Sequence, residues 1–128
     1  MKKSLKERQL EVLKTNTVKW NRYMRFCFSI NFLFSVNLSW SNLKGSNLSW
    51  SNLEGSNLDM SCLSLSCKSL KFKSDLKIRT QIGFHFASLI ANAEQENVTK
   101  EEKEIYAKML DYVNRFHRID VAKLAKLQ

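Results

Sequence analysis

The chain has 128 residues, 44% of them apolar and 26% charged, which is enough for one packed core and too little for separate lobes. It carries 21 Lys and Arg against 12 Asp and Glu, for a formal charge of +9. The absence of Pro and the presence of only 3 Gly exclude Pro-rich ligands and Gly-rich linkers, and 3 Cys without partner-like spacing exclude a disulfide scaffold and suit a reducing compartment.

Residues 3–22 read as a helix, with Leu5, Leu10, Val12, Leu13 and Val18 as an imperfect apolar stripe. Eight basic residues in the first 25 face only Glu7 and Glu11, so six of the nine excess positive charges lie there. Lys2, Lys3, Lys6, Arg8 and Lys14 are candidate contacts to nucleic-acid phosphates. The alternative is a solvated face whose aliphatic stems cover apolar neighbours. This helix is expected to cap the body that follows.

Phe26 to Leu38, FCFSINFLFSVNL, is the most apolar stretch. It is shorter than the roughly 18 residues of a spanning helix and is interrupted by Ser and Asn, so no membrane association is expected and a cytoplasmic location is.

From Val36 the chain runs VNLSW, SNLKG, SNLSW, SNLEG, SNLDM, SCLSL, with a strict period of five. Leu recurs at 38, 43, 48, 53, 58 and 63, and Ser at 41, 46, 51, 56 and 61. Asn fills the place between them at 37, 42, 47, 52 and 57. The phase extends back to Leu33 and Phe28 and weakens where Lys68 takes the Leu position. Five matches neither the helical period of 3.6 nor the strand period of 2. One large and one small inward position per five residues predicts a chain that turns a corner every five residues. Phe28, Leu33, Leu38, Leu43, Leu48, Leu53, Leu58 and Leu63 would fill its axis. Backbone hydrogen bonds would run to the turns above and below, and such a body is stable only when its ends are covered.

The run SNLKG-SNLSW-SNLEG-SNLDM resembles the pentapeptide-repeat family. That resemblance implies a right-handed quadrilateral β-helix with four pentapeptides per coil. Residues 26–70 would then form a β-solenoid of about two coils, with α-helical caps over 3–22 and 80–128, an α+β fold in a single domain of residues 1–128. Leu13 to Arg22, LKTNTVKWNR, is similar to the helix ending in Trp-Asn that opens many bacterial and phage members, matched here by Trp20, Asn21 and Arg22. The cytoplasm of a bacterium or of a phage-infected host is therefore the implied location. Some members are topoisomerase inhibitors resembling the DNA duplex in shape and negative charge, and the basic character of this chain sets it apart from them.

Four pentapeptides per coil would place Leu38 over Leu58, Leu43 over Leu63 and Phe28 over Leu48, with Asn37 over Asn57 as an outward amide ladder. Trp40 and Trp50 would fall on opposite faces. Cys27 and Cys67 would share a face two coils apart, beyond disulfide reach.

Beyond the repeats, Thr80 to Ala93 reads as a helix with Ile82, Phe86, Leu89, Ile90 and Ala93 at helical spacing. Thr99 and Glu102 form a capping box for a second helix bearing Ile105, Tyr106, Met109, Leu110, Val113 and Phe116 on one face. Asp120 is placed to cap a final turn. The resulting hairpin is expected to cover the open C-terminal coil.

No phosphate loop, nucleophile elbow or paired carboxylates appear. Cys62 and Cys67 with His85 and His117 lack the convergent spacing of a zinc site. A non-enzymatic protein without metal or cofactor is expected. Exposed Trp40 and Trp50 are the candidate anchors for a protein partner or a second copy, the alternative being that the chain's own helices cover them. Nucleic-acid or ribonucleoprotein binding through the N-terminal helix is the competing expectation.

Overall fold

The computed structural model describes residues 1–24, 33–119 and 123–125. Phe28 and Cys27, assigned above to the axis and to a face, lie outside these, as does the turn expected at Asp120. The chain divides into two compact units, Met1–Asp75 and Leu76–Gln128.

The expected β-solenoid is corrected by the structure. Every named element among the described residues is helical, and the only extended pairing consists of isolated parallel bridges, Asn37 with Asn57, Asn42 with Cys62 and Asn52 with Lys73. The reason is the shortness of each side. A ladder needs consecutive paired residues. Here the chain bends again after one bridging residue, so no strand or sheet forms among the described residues.

What the repeats build instead is a stack of tight turns, each closed by a backbone bond within its own pentapeptide. Each Leu carbonyl accepts the N–H of the residue three places on: Ser41 to Leu38 (3.2 Å), Ser46 to Leu43 (3.0 Å), Ser51 to Leu48 (3.0 Å), Ser56 to Leu53 (3.0 Å) and Ser61 to Leu58 (3.1 Å). The third residue of each turn lies in the left-handed region: Trp40 (φ 60°), Gly45 (75°), Trp50 (64°), Gly55 (74°) and Met60 (59°), with Ser35 (52°) in the same phase. Each Asn Oδ1 accepts the backbone N–H two residues on, at 3.0 Å for Ser39, 3.1 Å for Lys44, 3.0 Å for Ser49, 3.0 Å for Glu54 and 2.9 Å for Asp59. The Asn column thus tightens its own corners, the Asx-turn role, where an amide ladder was expected.

Successive turns are tied by backbone bonds nineteen residues apart, from Ser35 to Glu54 (2.9 Å), Leu38 to Asn57 (2.8 Å), Trp40 to Asp59 (3.0 Å) and Leu43 to Cys62 (2.9 Å). Inside, Leu33, Leu38, Leu43, Leu48 and Leu53 are fully enclosed and Leu58 nearly so. Leu63 is only partly buried, because the turn that follows it departs from the repeat. There a single α-helical turn intrudes, Cys67–Leu70, with Ser66 as N-cap. The bonds then run from Leu48 to Lys68 (2.9 Å), Trp50 to Lys71 (2.7 Å) and Leu53 to Lys73 (2.8 Å), a register shifted by one or two residues.

The same unit begins with two helices in place of the one expected over 3–22. Helix α1, Leu5–Thr15, opens with a Ser4/Glu7 capping box, whose bonds hold the Glu7 carboxyl below the usual carboxylate range. Asn16 ends α1 with a non-helical backbone, and its Oδ1 accepts Lys19 N–H (2.9 Å) to start α2, Thr17–Met24. Leu13, Trp20 and Met24 are the buried side chains of this pair.

In the second unit, with Cys67–Leu70 counted as α3, helix α4 spans Leu76–Ala91 and α5 spans Lys100–Val113. The Thr99/Glu102 capping box starts α5 as its sequence indicates. Phe84, Ala87, Ile90, Val98, Tyr106, Leu110, Val113 and Phe116 form the core between them. Burial pushes the Tyr106 phenol up, and its O–H donates to Ala125 (2.5 Å), while Asn114 exchanges two 3.1 Å bonds with Leu124. The tail is thereby fastened to the hairpin.

Two pairs of substitutions test the stack. The Ser46 and Ser51 hydroxyls are buried without a partner among the described residues, whereas Ser56 Oγ donates to Leu33 and accepts from Val36 N–H (3.2 Å). Ser51→Ala is expected to hold or raise stability in urea by up to about 1 kcal/mol, and Ser56→Ala to lower it by about 1–3 kcal/mol. Gly45→Ala introduces only the left-handed penalty, since its Cβ would lie an ordinary 3.8 Å from Thr17 Cγ2. Gly55→Ala must also displace Ser35 Oγ, which a Cβ would meet at 2.5 Å. Both should cost about 1–2 kcal/mol, Gly55→Ala the more, and equal unfolding midpoints for wild type and both variants would refute the corner geometry.

Candidate partner-binding surface

The corner position of each repeat points outward, and its occupants alternate between Gly and large apolar residues. Trp40 is 76% exposed and Trp50 61% exposed. Their spacing of ten residues puts them two corners apart in a turn of four. Met60 stands twenty residues after Trp40, at the same corner one turn on, and is also exposed. Below Trp50 the ammonium of Lys71 lies 4.3 Å from the indole centroid, a cation–π contact. Sequence reasoning named both Trp residues. It missed Met60 and Lys71, which become relevant only through the stacking register.

These corners are anchored by backbone. Trp40 N–H donates to Asp59 and Trp50 N–H to Lys71, so each indole projects from a fixed peptide. At the two intervening corners the Gly amides donate instead to side chains, Gly45 to Ser64 Oγ (2.7 Å) and Gly55 to an Asp75 carboxylate oxygen (2.6 Å). Every corner amide from 35 to 55 is therefore occupied.

The N-terminal helices grip the stack near Gly45. Trp20 is fully buried, and its Nε1–H donates to the Asn47 carbonyl (2.7 Å). Asn21 reads the same segment with both ends of its amide, donating to Gly45 O (2.9 Å) and accepting from Asn47 N–H (2.6 Å). Lys6 Nζ donates to the Phe34 carbonyl (3.1 Å).

The candidate phosphate contacts are consequently separated. Lys6 is directed to Phe34 and Lys3 pairs with Glu11 (2.7 Å), which raises the Lys3 pKa through that hydrogen bond and charge. Lys14 shares a concave surface with Lys3, Glu7 and Glu11. Arg8 lies elsewhere, in a cleft with Lys19 and Tyr23. Lys2 is exposed ahead of α1.

Cys62 and Cys67 are exposed free thiols. His85 and His117 pack against the rings of Phe84 and Phe116. Among the described residues no group of three His, Cys, Asp or Glu side chains is arranged to hold a metal ion, and no helix is long and apolar enough to cross a membrane.

The family description "pentapeptide repeats" matches residues 33–67, in eight copies. The match ends at Cys67, the first residue of α3. No curated protein and no solved structure matches the chain.

Asn21→Ala is expected to lower stability by about 1–3 kcal/mol, because it strands the Gly45 carbonyl and the Asn47 amide. Hydrogen exchange checks it: the Asn47 amide should lose protection. Asn21→Asp, which keeps the acceptor, should retain most of that protection.

Proposed function

We propose that this chain, whose residues 33–67 match pentapeptide repeats, works as a non-enzymatic interaction module, docking a protein partner or a second copy of itself through the Trp40 and Trp50 corners. The observation that carries this reading is the backbone conformation of the two tryptophans. A left-handed corner is most cheaply occupied by Gly, as at 45 and 55, and a residue with a Cβ there costs about 1–2 kcal/mol. Neither indole recovers that cost by burial within the chain. Covering one on association removes about 150–250 Å² from water, roughly 4–6 kcal/mol before entropic costs, which is sufficient for an anchor. Strain retained at an exposed aromatic supports use by something outside the fold.

A second copy would meet the same patch about a two-fold axis, while a heterologous partner would need one corner only. The free Cys62 and Cys67 suit a reducing compartment, and the cytoplasm is the location we propose.

Trp40→Gly and Trp50→Gly separate binding from folding. Each is expected to leave stability unchanged or to raise it by about 1 kcal/mol, since the corner favours Gly. Sedimentation velocity and capture of partner by the purified chain should show weakened association. A fall in stability with both variants, or undiminished association with both, would show that the indoles serve the chain's own packing.

A further inference from the structure

We propose that helix α4 pairs antiparallel with α4 of a second copy of this chain, along a stripe of Ile82, Phe86 and Leu89. The helix runs LKIRTQIGFHFASLIA over 16 residues, and Lys77 and Arg79 are its only Lys, Arg, Asp or Glu side chains. Phe84, Ala87 and Ile90 enter the core shared with α5. Ile82, Phe86 and Leu89 recur at i, i+4 and i+7 on a different face, and they are 38%, 50% and 73% exposed. A surface helix of a folded domain carries one apolar stripe and turns polar side chains to water. A helix apolar on two faces has two partners to meet, and α5 is one of them.

Charge identifies the other as a second α4. Lys77 and Arg79 stand at the start of the helix, whose first turn has no acidic residue and whose last turn has no basic one. Glu94 and Glu96 follow directly after its C-terminal end. The carboxylate just ahead of the helix, Asp75, accepts Gly55 N–H (2.6 Å). This distribution is the reverse of what the helix's own dipole favours, which is acid at the N-terminus and cations at the C-terminus. Beside an antiparallel copy the same charges are well placed, because the basic end of each helix lies along the C-terminus and the two glutamates of the other. With the two-fold axis between His85 and Phe86, Ile82 meets Leu89 of the second copy, and Lys77 comes level with Glu94 of the second copy. A parallel pair would set basic end against basic end, and a neutral apolar partner would leave the reversed charges uncompensated. The stripe supplies affinity, and the charges fix direction. It shares no residue with the Trp corners, so either reading can fail without the other.

The test is sedimentation equilibrium of the full chain at low salt, over about 10 µM to 1 mM, the span of weak complexes. The wild type should pass from monomer to dimer within it. Phe86→Gln/Leu89→Gln keeps good helix formers in α4 and should weaken the dimer about tenfold or more, with a thermal midpoint no lower than that of the wild type. Lys77→Glu and Glu94→Lys each set like charges together at both ends of the pair, and each should weaken self-association about threefold. An equimolar mixture of those two chains should dimerise as the wild type does, since opposite charges then meet at both ends. Trp40→Gly and Trp50→Gly should leave this dimer within about twofold, and the Trp corners are read separately, in the Phe86→Gln/Leu89→Gln chain. A wild type that stays monomeric throughout overturns the proposal. So does a Phe86→Gln/Leu89→Gln chain that melts lower with its association unchanged, which would show that the stripe packs within its own chain. A mixture that dimerises no better than its two components overturns the antiparallel copy, and with it the proposal.

Discussion

The backbone bond that crosses from one turn to the next constrains everything else in the N-terminal unit. It requires that an N–H and a carbonyl nineteen residues apart face each other repeatedly, as from Leu38 to Asn57 and from Leu43 to Cys62. The chain can satisfy this only by bending at the same place in each pentapeptide. Bending so sharply needs a left-handed residue outside and an enclosed Leu inside. The Asn amides then satisfy the one N–H per corner that the turn itself leaves open. Apolar burial and backbone pairing thus act on the same residues with the same period.

That shared period is why the axis could be read from the amino acids: Leu at every fifth place has no other use. The corners were half legible. Gly45 and Gly55 signal a left-handed position, but Trp40, Trp50 and Met60 in equivalent places hide it, because bulky residues seldom adopt that conformation. The expected β-solenoid failed on a count of residues per side. Period alone says how often a chain bends, not whether enough paired residues remain between bends to make a strand. Asn16 was read through as helix interior because Asn serves equally as interior, C-cap and N-cap, and only the structure shows it closing α1 and opening α2. Helix α4 begins at Leu76, ahead of the Thr80 expected, since buried Ile78 extends its apolar stripe backward. Thr99 and Glu102, by contrast, carry a local signal that tertiary context did not alter.

The candidate binding residues divide in the same way. Trp40 and Trp50 are conspicuous in sequence because the axis has no need of them. The basic residues of the first helices are not distinguishable by type. Contacts sort them: Lys3 to Glu11, Lys6 to Phe34, and Arg8 together with Lys19 across a helix break that sequence reading did not place. Trp20 and Asn21 show the opposite case, in which a local resemblance pointed to residues whose role is now explicit in their bonds to Gly45 and Asn47.

The shifted register at Cys67–Leu70 has a consequence for assembly. Stacked turns of uniform period expose, at their last turn, a template on which any similar chain could continue, and repetition of that step gives fibres. Here the carbonyls that accept from Leu48, Trp50 and Leu53 fall at Lys68, Lys71 and Lys73, intervals of three and then two residues, whereas Asn57, Asp59 and Cys62, which accept from Leu38, Trp40 and Leu43, follow intervals of two and then three. The last turn therefore departs from the phase that a further standard pentapeptide would have to match, and Lys68, Lys71 and Lys73 put three positive charges along it. The helical turn of α3 thereby interrupts the uniform period on which such templating depends.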